Sequence, residues 1–492
     1  METEILWKFY NMNSTVVKNI DTKLSVLFCK FGNYIRSEKV RSITRKHPND
    51  FVRIFKFPWY DVLLYLIFRT EKCTQSELSK YYSSIGKSNL RISKQAAFKA
   101  LKKVRPEVFK DLNHNLAKFF YESDLVKTYK GYILLAEDGT TNELHPTKKA
   151  LDNFGFVGNQ YIRNEDEAQK ATCRSAALYD ITNGLVVDFS MNPFKKAEIP
   201  IAFDHINNSH FIFEGRNVIY MTDRNYGSVE LFSILESYGF NYCIRGKSNF
   251  FKKYIAQMKR NDEWIEVKVD KAWIKRLKYD QAKERFMKNP MIRIRVVKHT
   301  YTYMDVQGKQ HHTELIYFTN LSENKFSTQD IINLYLQRWD IECSYKTLKT
   351  DYEWERFNSE DCDCEMCCIY AKIIFHSLIG IIRKELNSLL DQDPNNEKNK
   401  HKYTVNIVQL STMLRQNNLC RILRSSNTKS MKRLVELVLK LIHKIKVPIR
   451  PGRHNLRWRR VVTVSNLFRY KLDGRNYPKV ICKNGLLMTS RP

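Results

Sequence analysis

Near Tyr129 the hydrophobic pattern of this 492-residue chain changes from helical to extended, and the order of segments that follows leaves few architectures open. Tyr132 to Ala136 is a short apolar run that ends in Glu137 and Asp138. Ala171 to Asp180 and Gly184 to Met191 read as two further strands, joined by a turn at Thr182-Asn183. Ile199 to Asn207 can be helical, and Val218 to Met221 is a strand that leads into Asp223. Ser228 to Tyr238 reads as a helix and Tyr242 to Arg245 as a strand.

Three strands, a helix, a strand, a helix and a strand is the order of a ribonuclease-H-like α/β core. Residues 250–320 interrupt it. Ile265, Val267 and Val269 alternate with Glu266, Lys268 and Asp270, and Ile292, Ile294 and Val296 alternate with Arg293 and Arg295. Glu314 to Thr319 is one more strand. Period-two alternation predicts a mostly antiparallel β insertion with one charged face.

The segments on either side are helical. Phe57 to Phe68 is an apolar, helix-like run. Thr74 and Glu77 have capping-box spacing, and Ser93 is placed to cap a helix over Lys94–Val104 that carries Lys94, Lys99, Lys102 and Lys103. With the turn at Gly86, this pair resembles a helix-turn-helix, or equally a helical hairpin with a wet basic face. After Leu390 a polar stretch, Asp391 to Lys402, reads as a surface linker, followed by a helix over Lys429–Lys446 and an extended basic arm from Pro448. The expected division is a helical N-terminal DNA-binding domain (1–125), a first core part (126–249), the β insertion (250–320), a second core part with the catalytic helix (321–390), and a C-terminal basic region for DNA contact or dimerisation (391–492).

The second core part holds the densest chemistry. Tyr335, Arg338, Glu342 and Lys349 are spaced by three, four and seven residues. At 100° per residue they project to roughly 0°, 300°, 340° and 320°, one arc of about 60°. A carboxylate flanked by cations and a phenol on one helix face suits a divalent metal held beside a phosphodiester. Asp138 and Asp223 are expected at the carboxyl ends of core strands, where side chains of an α/β sheet face a common crevice. With Glu342 they would form a cradle for two Mg²⁺ ions about 4 Å apart. Hard divalent cations take oxygen ligands, so Asp and Glu suffice, and Mn²⁺ can substitute. Arg338 and Lys349 would meet phosphate oxygens, or Arg338 would simply pair with Glu342 four residues on.

Charge points the same way. Lys and Arg number 83 against 52 Asp and Glu, a net +31, which calls for a polyanionic partner. Residues 428–460 hold eleven Lys or Arg and a single acid, Glu436. With 43% hydrophobic residues the chain is not a disordered basic tail. The first residues lack the pattern of a signal peptide, and the apolar run Trp59–Phe68 is too short to span a bilayer and contains Asp61. A soluble intracellular protein with reduced cysteines is expected. Cys362, Cys364, Cys367 and Cys368 crowd too closely to surround one tetrahedral zinc ion, and are expected on a partly buried helix.

The pattern Tyr-x2-Arg-x3-Glu-x6-Lys, met by Tyr335, Arg338, Glu342 and Lys349, resembles the signature of the insertion-sequence-four family of bacterial DDE transposases. Asp138-Gly139-Thr140 looks like that family's first acidic motif, and Asp223-Arg224-Asn225-Tyr226 like its second. The β-rich insertion between second and third acids is likewise similar, over roughly residues 50–460. The resemblance implies cut-and-paste transposition by a homodimer in the bacterial cytoplasm, associated with the nucleoid. The steps would be nicking of element ends, hairpin formation, hairpin opening, and joining of 3′ ends to target double-stranded DNA. It implies catalytic and metal-binding roles for Asp138, Asp223 and Glu342, and DNA-phosphate contacts for Tyr335, Arg338, Lys349 and Arg224. Family members stack a flipped base on a Trp in the last insertion strand. Here Leu315 stands at that place, leaving Tyr317, Trp264 or Trp273 as substitutes. Two other classes stay open: a catalytically inactive DNA-binding regulator of transposition, and a nuclease of the same fold that only cuts.

Overall fold

The computed structural model describes residues 14–52, 56–70, 73–158, 168, 170–247, 249–304, 310–392, 400–417, 419–450, 479–481 and 487–489. Most of the expected linker (Asp391–Lys402) and the basic arm beyond Arg450 therefore lie outside the described residues.

The centre of the molecule is an eight-stranded mixed sheet. Its strands are β1 (Ile133–Leu144), β2 (Ala171–Asp180), β3 (Leu185–Pro193), β4 (Val218–Thr222), β5 (Asn241–Arg245), β6 (Asp262–Lys268), β7 (Met291–Met304) and β8 (Gln310–Thr319). Their spatial order is β3-β2-β1-β4-β5-β8-β7-β6. Only β1–β4 and β4–β5 are parallel. These central strands are covered on both faces, so Ile133–Ala136 and Val218–Thr222 are buried at every position and read as continuous apolar runs. The insertion does not fold apart. β8 pairs antiparallel with β5, as in Ile244↔Phe318, and so carries β7 and β6 onto the same sheet.

The expected charged face of the insertion holds at Glu266, Lys268 and Arg293, which are exposed. It fails at Arg295, which is 1% exposed. The Arg295 guanidinium forks onto Asp262 at 2.7 and 2.6 Å and donates to the carbonyls of Leu321 and Phe326, so the chain returning from β8 covers it. Burial of a full charge is tolerated here because every donor direction finds an acceptor.

Helices enclose the sheet. The helix Glu198–Ser209 packs on one face of β1–β3. On the other lie the helices bearing Arg338 and Glu342 and a 30-residue helix, Cys362–Asp391, buried along most of its length. Among the described residues this is the one helix long and apolar enough to cross a membrane. Its most apolar window is 94% buried inside the protein, as befits a core helix. It crosses the β2–β3 turn so closely that a Cβ on Gly380 would stand 1.8 Å from the carbonyl oxygen of Gly184, itself at φ +76°. Cys362, Cys364, Cys367 and Cys368 occupy its first turns, all buried, and the Cys368 Sγ accepts from Arg69 Nη1 at 3.0 Å.

The helical N-terminal segment and the C-terminal helices are packed together rather than apart. Ser14–Ile35 lies against Thr428–Ile445, and one continuous hydrophobic core joins them to the sheet. The buried Asp61 carboxylate is gripped by Arg424 at 2.5 and 3.1 Å and accepts from Tyr81 Oη at 2.8 Å. Ser93 caps Lys94–Leu101 through Ala96 N. The capping box at Thr74 is not formed. Thr74 begins its helix but makes no cap, its hydroxyl accepts from Asn358, and Glu77 is buried against Arg69 and Tyr65. Burial beside Arg69 wins over the local cap.

Candidate active site

Asp138 does not end its strand. β1 runs on through Leu144 because its second half, from Asp138 to Leu144, stays paired with β2 down to Ala171. β4, by contrast, stops at Thr222. The last parallel pair is Ala136↔Met221. Two residues further along stand Asp138, still within β1, and Asp223, one residue past the end of β4, where β1 has lost its parallel partner.

Successive strand residues face opposite sides of a sheet. Glu137 turns toward the helix Glu198–Ser209 and meets His205 Nδ1 at 2.9 Å. Asp138 turns to the other side, where Arg338 waits. Arg338 Nη1 is 3.6 Å from Asp138 Oδ2, and Arg338 Nη2 donates to Glu342 Oε1 at 2.6 Å. One guanidinium thus joins the first and third acids. Its Nε and Nη1 are buried without a hydrogen-bond partner among the described residues. Tyr345 fixes the arrangement from below by donating its hydroxyl to the Asp138 carbonyl at 2.7 Å.

The helix that carries the four-residue pattern is not continuous. Ser327 and Asp330 form a capping box at the start of Thr328–Gln337. A single turn residue, Arg338, separates this helix from Trp339–Lys346, and a π-helical turn, Thr347–Asp351, follows. Arg338 itself keeps helical backbone angles (φ −52°, ψ −30°), so it still meets Glu342 four residues on, and the even projection at 100° per residue is disturbed only by the π-helical turn that holds Lys349. Of the four side chains, Tyr335 and Arg338 are buried, and Glu342 and Lys349 are half-buried. Tyr335 is buried, its ring 4.9 Å from that of Tyr317 and 5.5 Å from the Arg338 guanidinium. Lys349 Nζ donates to the Thr141 carbonyl at 2.6 Å and lies 3.9 Å from Glu355. Arg224 is exposed beside Asp223, whose carboxylate accepts from the backbone and side-chain nitrogens of Asn225.

The proposed base-stacking rings are also engaged. Tyr317 is 1% exposed, Trp264 lies under the Arg293 guanidinium, and Trp273 packs on Phe251. Trp339, between Arg338 and Asp340, is 60% exposed, an aromatic residue that the sequence reading passed over.

Electrostatics tie the three acids to one another. Burial pushes the Asp138 carboxyl up to about 7. Arg338 and the Gly139 amide pull it down, and the charges of Asp223 and Glu342 push it up. A divalent cation would remove that penalty, and the donor set is all carboxylate oxygen, the chemistry that Mg²⁺ and Mn²⁺ take. The trio is nonetheless not closed around one point. Among the described residues no three His, Cys, Asp or Glu side chains converge at metal-binding distance. Asp138 and Glu342 meet through Arg338 instead.

The family model of the transposase DDE domain matches residues 129–374, which include all three acids. No curated protein matches the chain. Among solved structures, the cryo-EM structure of a piggyBac transposase synaptic complex with hairpin DNA is similar over 89% of this chain and 86% of that one, at 11% identity and a TM-score of 0.37. A likeness that distant carries no inference about the site.

Proposed function

The chain belongs to the transposase DDE domain family, and on that premise we propose that it is an active DNA transposase of the insertion-sequence-four type. In this reading β1–β5 are a ribonuclease-H-like core. The chain binds the ends of a mobile element as a homodimer in a bacterial cytoplasm, cuts them by metal-dependent phosphodiester hydrolysis and hairpin formation, and joins the 3′ ends to target DNA. The helical N-terminal segment and the basic C-terminal helix supply sequence-independent grip through Lys and Arg.

The observation that carries this reading is that Asp138 lies in β1 and Asp223 follows directly on its parallel neighbour β4, with Glu342 joined to Asp138 through Arg338. Asp138, Asp223 and Glu342 would hold the cation pair, which supplies an activated oxygen nucleophile and a stabilised leaving oxygen. Arg338 keeps two mutually repelling carboxylates together. Its buried, unpartnered Nε and Nη1 are also the donors that a phosphate oxygen entering the site would satisfy. Arg224 stands exposed at the rim, free of the sheet.

The test is an end-cleavage assay with Mg²⁺ or Mn²⁺ on DNA carrying the element's termini, read for nicks, hairpins and joined products. Asp138→Ala, Asp223→Ala and Glu342→Ala should each abolish all three products while leaving DNA binding nearly intact, since other residues provide it. A wild-type chain that binds without nicking is a regulator. One that nicks without joining is a plain nuclease. Cleavage retained in the Asp138 and Glu342 variants would sink the whole assignment.

A further inference from the structure

A cavity of about 620 Å³, a size typical of small-molecule sites, lies among the helices Trp59–Phe68, Thr74–Ser84 and Ile407–Gln416 and the π-helical turn Thr347–Asp351. None of the three acids of the candidate active site lines it. Tyr65, Arg69, Glu77, Lys80, Asp351 and Arg415 are among the residues that do. Most of these charges are already accounted for. Arg69 Nε lies 3.5 Å from Glu77, and Tyr65 Oη donates to the same carboxylate at 3.2 Å. Lys80 and Asp351 are exposed to solvent.

Arg415 is the exception. Its guanidinium lies 3.9 Å from the ring centre of Phe375 and 5.7 Å from that of Tyr352, faces that attract a cation without neutralising it. Its Nε and Nη2 are buried and have no hydrogen-bond partner among the described residues. Burial pulls the group down to about 10, and Tyr352 and Glu77 offset only part of that, so it still carries a full positive charge at neutral pH. Other inward-facing arginines of this chain are compensated: Arg424 forks onto Asp61, and Arg295 onto Asp262. A buried charge without such a partner destabilises the fold, and an anion entering the cavity would relieve it. A planar fork of N–H donors matches the oxygens of a phosphate, and Lys80 adds a second cation to the wall.

We infer that this cavity is a phosphate-binding site anchored by the Arg415 guanidinium. Two sources share that chemistry: a small free phosphate compound and a phosphate of the DNA backbone. The site is separate from the metal-dependent one, so either can fail without the other.

The test titrates inorganic phosphate into the full chain by calorimetry, at an ionic strength held constant with chloride, with and without a duplex oligonucleotide. Wild type should bind phosphate saturably. Arg415→Met, which keeps apolar packing on Phe375, should bind it at least about tenfold more weakly, the loss expected for a hydrogen bond to a charged group. Urea unfolding gives a readout that a merely structural Arg415 would not move: phosphate should raise the wild-type midpoint more than that of Arg415→Met. If Arg415→Met fails to fold, Arg415→Lys keeps the charge, gives up the planar fork, and should weaken phosphate binding several-fold. Phosphate displaced by the oligonucleotide, or DNA affinity lowered in the Arg415 variants, identifies the DNA backbone as the source. Phosphate bound equally with and without DNA identifies a free phosphate compound. Phosphate affinity unchanged in the Arg415 variants overturns the inference. So does a wild-type chain that binds no phosphate and has the same DNA affinity as those variants.

Discussion

Replacing Asp138 by Asn should make the protein more stable above neutral pH while removing its chemistry. Asn keeps the shape and abolishes the charge. The folded chain holds the Asp138 proton to about pH 7 because of burial and the neighbouring charges of Asp223 and Glu342, against an ordinary value of 3.8. Between those values the native state binds a proton that the unfolded state has released, so Asp138 lowers stability progressively as pH rises through that window. Above about pH 7 the penalty is complete. A gap of about three pH units at about 1.4 kcal/mol each sets a ceiling of about 4 kcal/mol. The side chain is 20% exposed, and solvent screening reduces the expected gain to about 2–3 kcal/mol. Urea unfolding followed by tryptophan fluorescence should show Asp138→Asn matching wild type near pH 4 and exceeding it at pH 8. Mg²⁺ added at pH 8 should stabilise wild type and leave the variant unmoved. An Asn variant less stable than wild type at pH 8, or a gain that does not depend on pH, would refute the reasoning.

Three other outcomes are expected. Gly380→Ala places a methyl group 1.8 Å from a backbone oxygen, which cannot move as a side chain tip could; it should cost about 3 kcal/mol or more, visible as a lowered urea midpoint or as insolubility. Arg424→Ala strands the buried Asp61 carboxylate and should cost about 3–5 kcal/mol, whereas Arg424→Lys should recover part of it; equal midpoints for wild type and Arg424→Ala would show that the pair contributes nothing. Burial disfavours a charged His205, but Glu137 at 2.9 Å overrides it and lifts the imidazole to about 9. Its stabilising contribution is therefore full below about pH 6.5 and lost as pH rises through about 9, so the stability gap between wild type and His205→Gln should be wide at pH 6 and closed by pH 10.

Much of this molecule was legible in its residue order. Ala171–Asp180 folds as a strand over the predicted span, and its run Ala176-Ala177-Leu178-Tyr179, buried on both faces, is visible in one dimension. The run Val218–Met221, the alternation of Ile265 and Val267, and the capping Ser93 were equally plain, since period and cap chemistry are local. The acids at 138, 223 and 342 could be picked out by their neighbours in the chain.

What folding decided was which charge meets which. The polar stretch Asp138–Glu143 is a strand only because β2 lies alongside to pair with it. Arg295 looked like surface and is buried, because Asp262 and two carbonyls from distant segments converge on it. Tyr335 shares a helical spacing with Arg338 but is buried because the ring of Tyr317, from a distant strand, packs against it. Local periodicity records how a segment is exposed; the partners of a buried charge are set by strand register and helix packing, which join residues far apart along the chain.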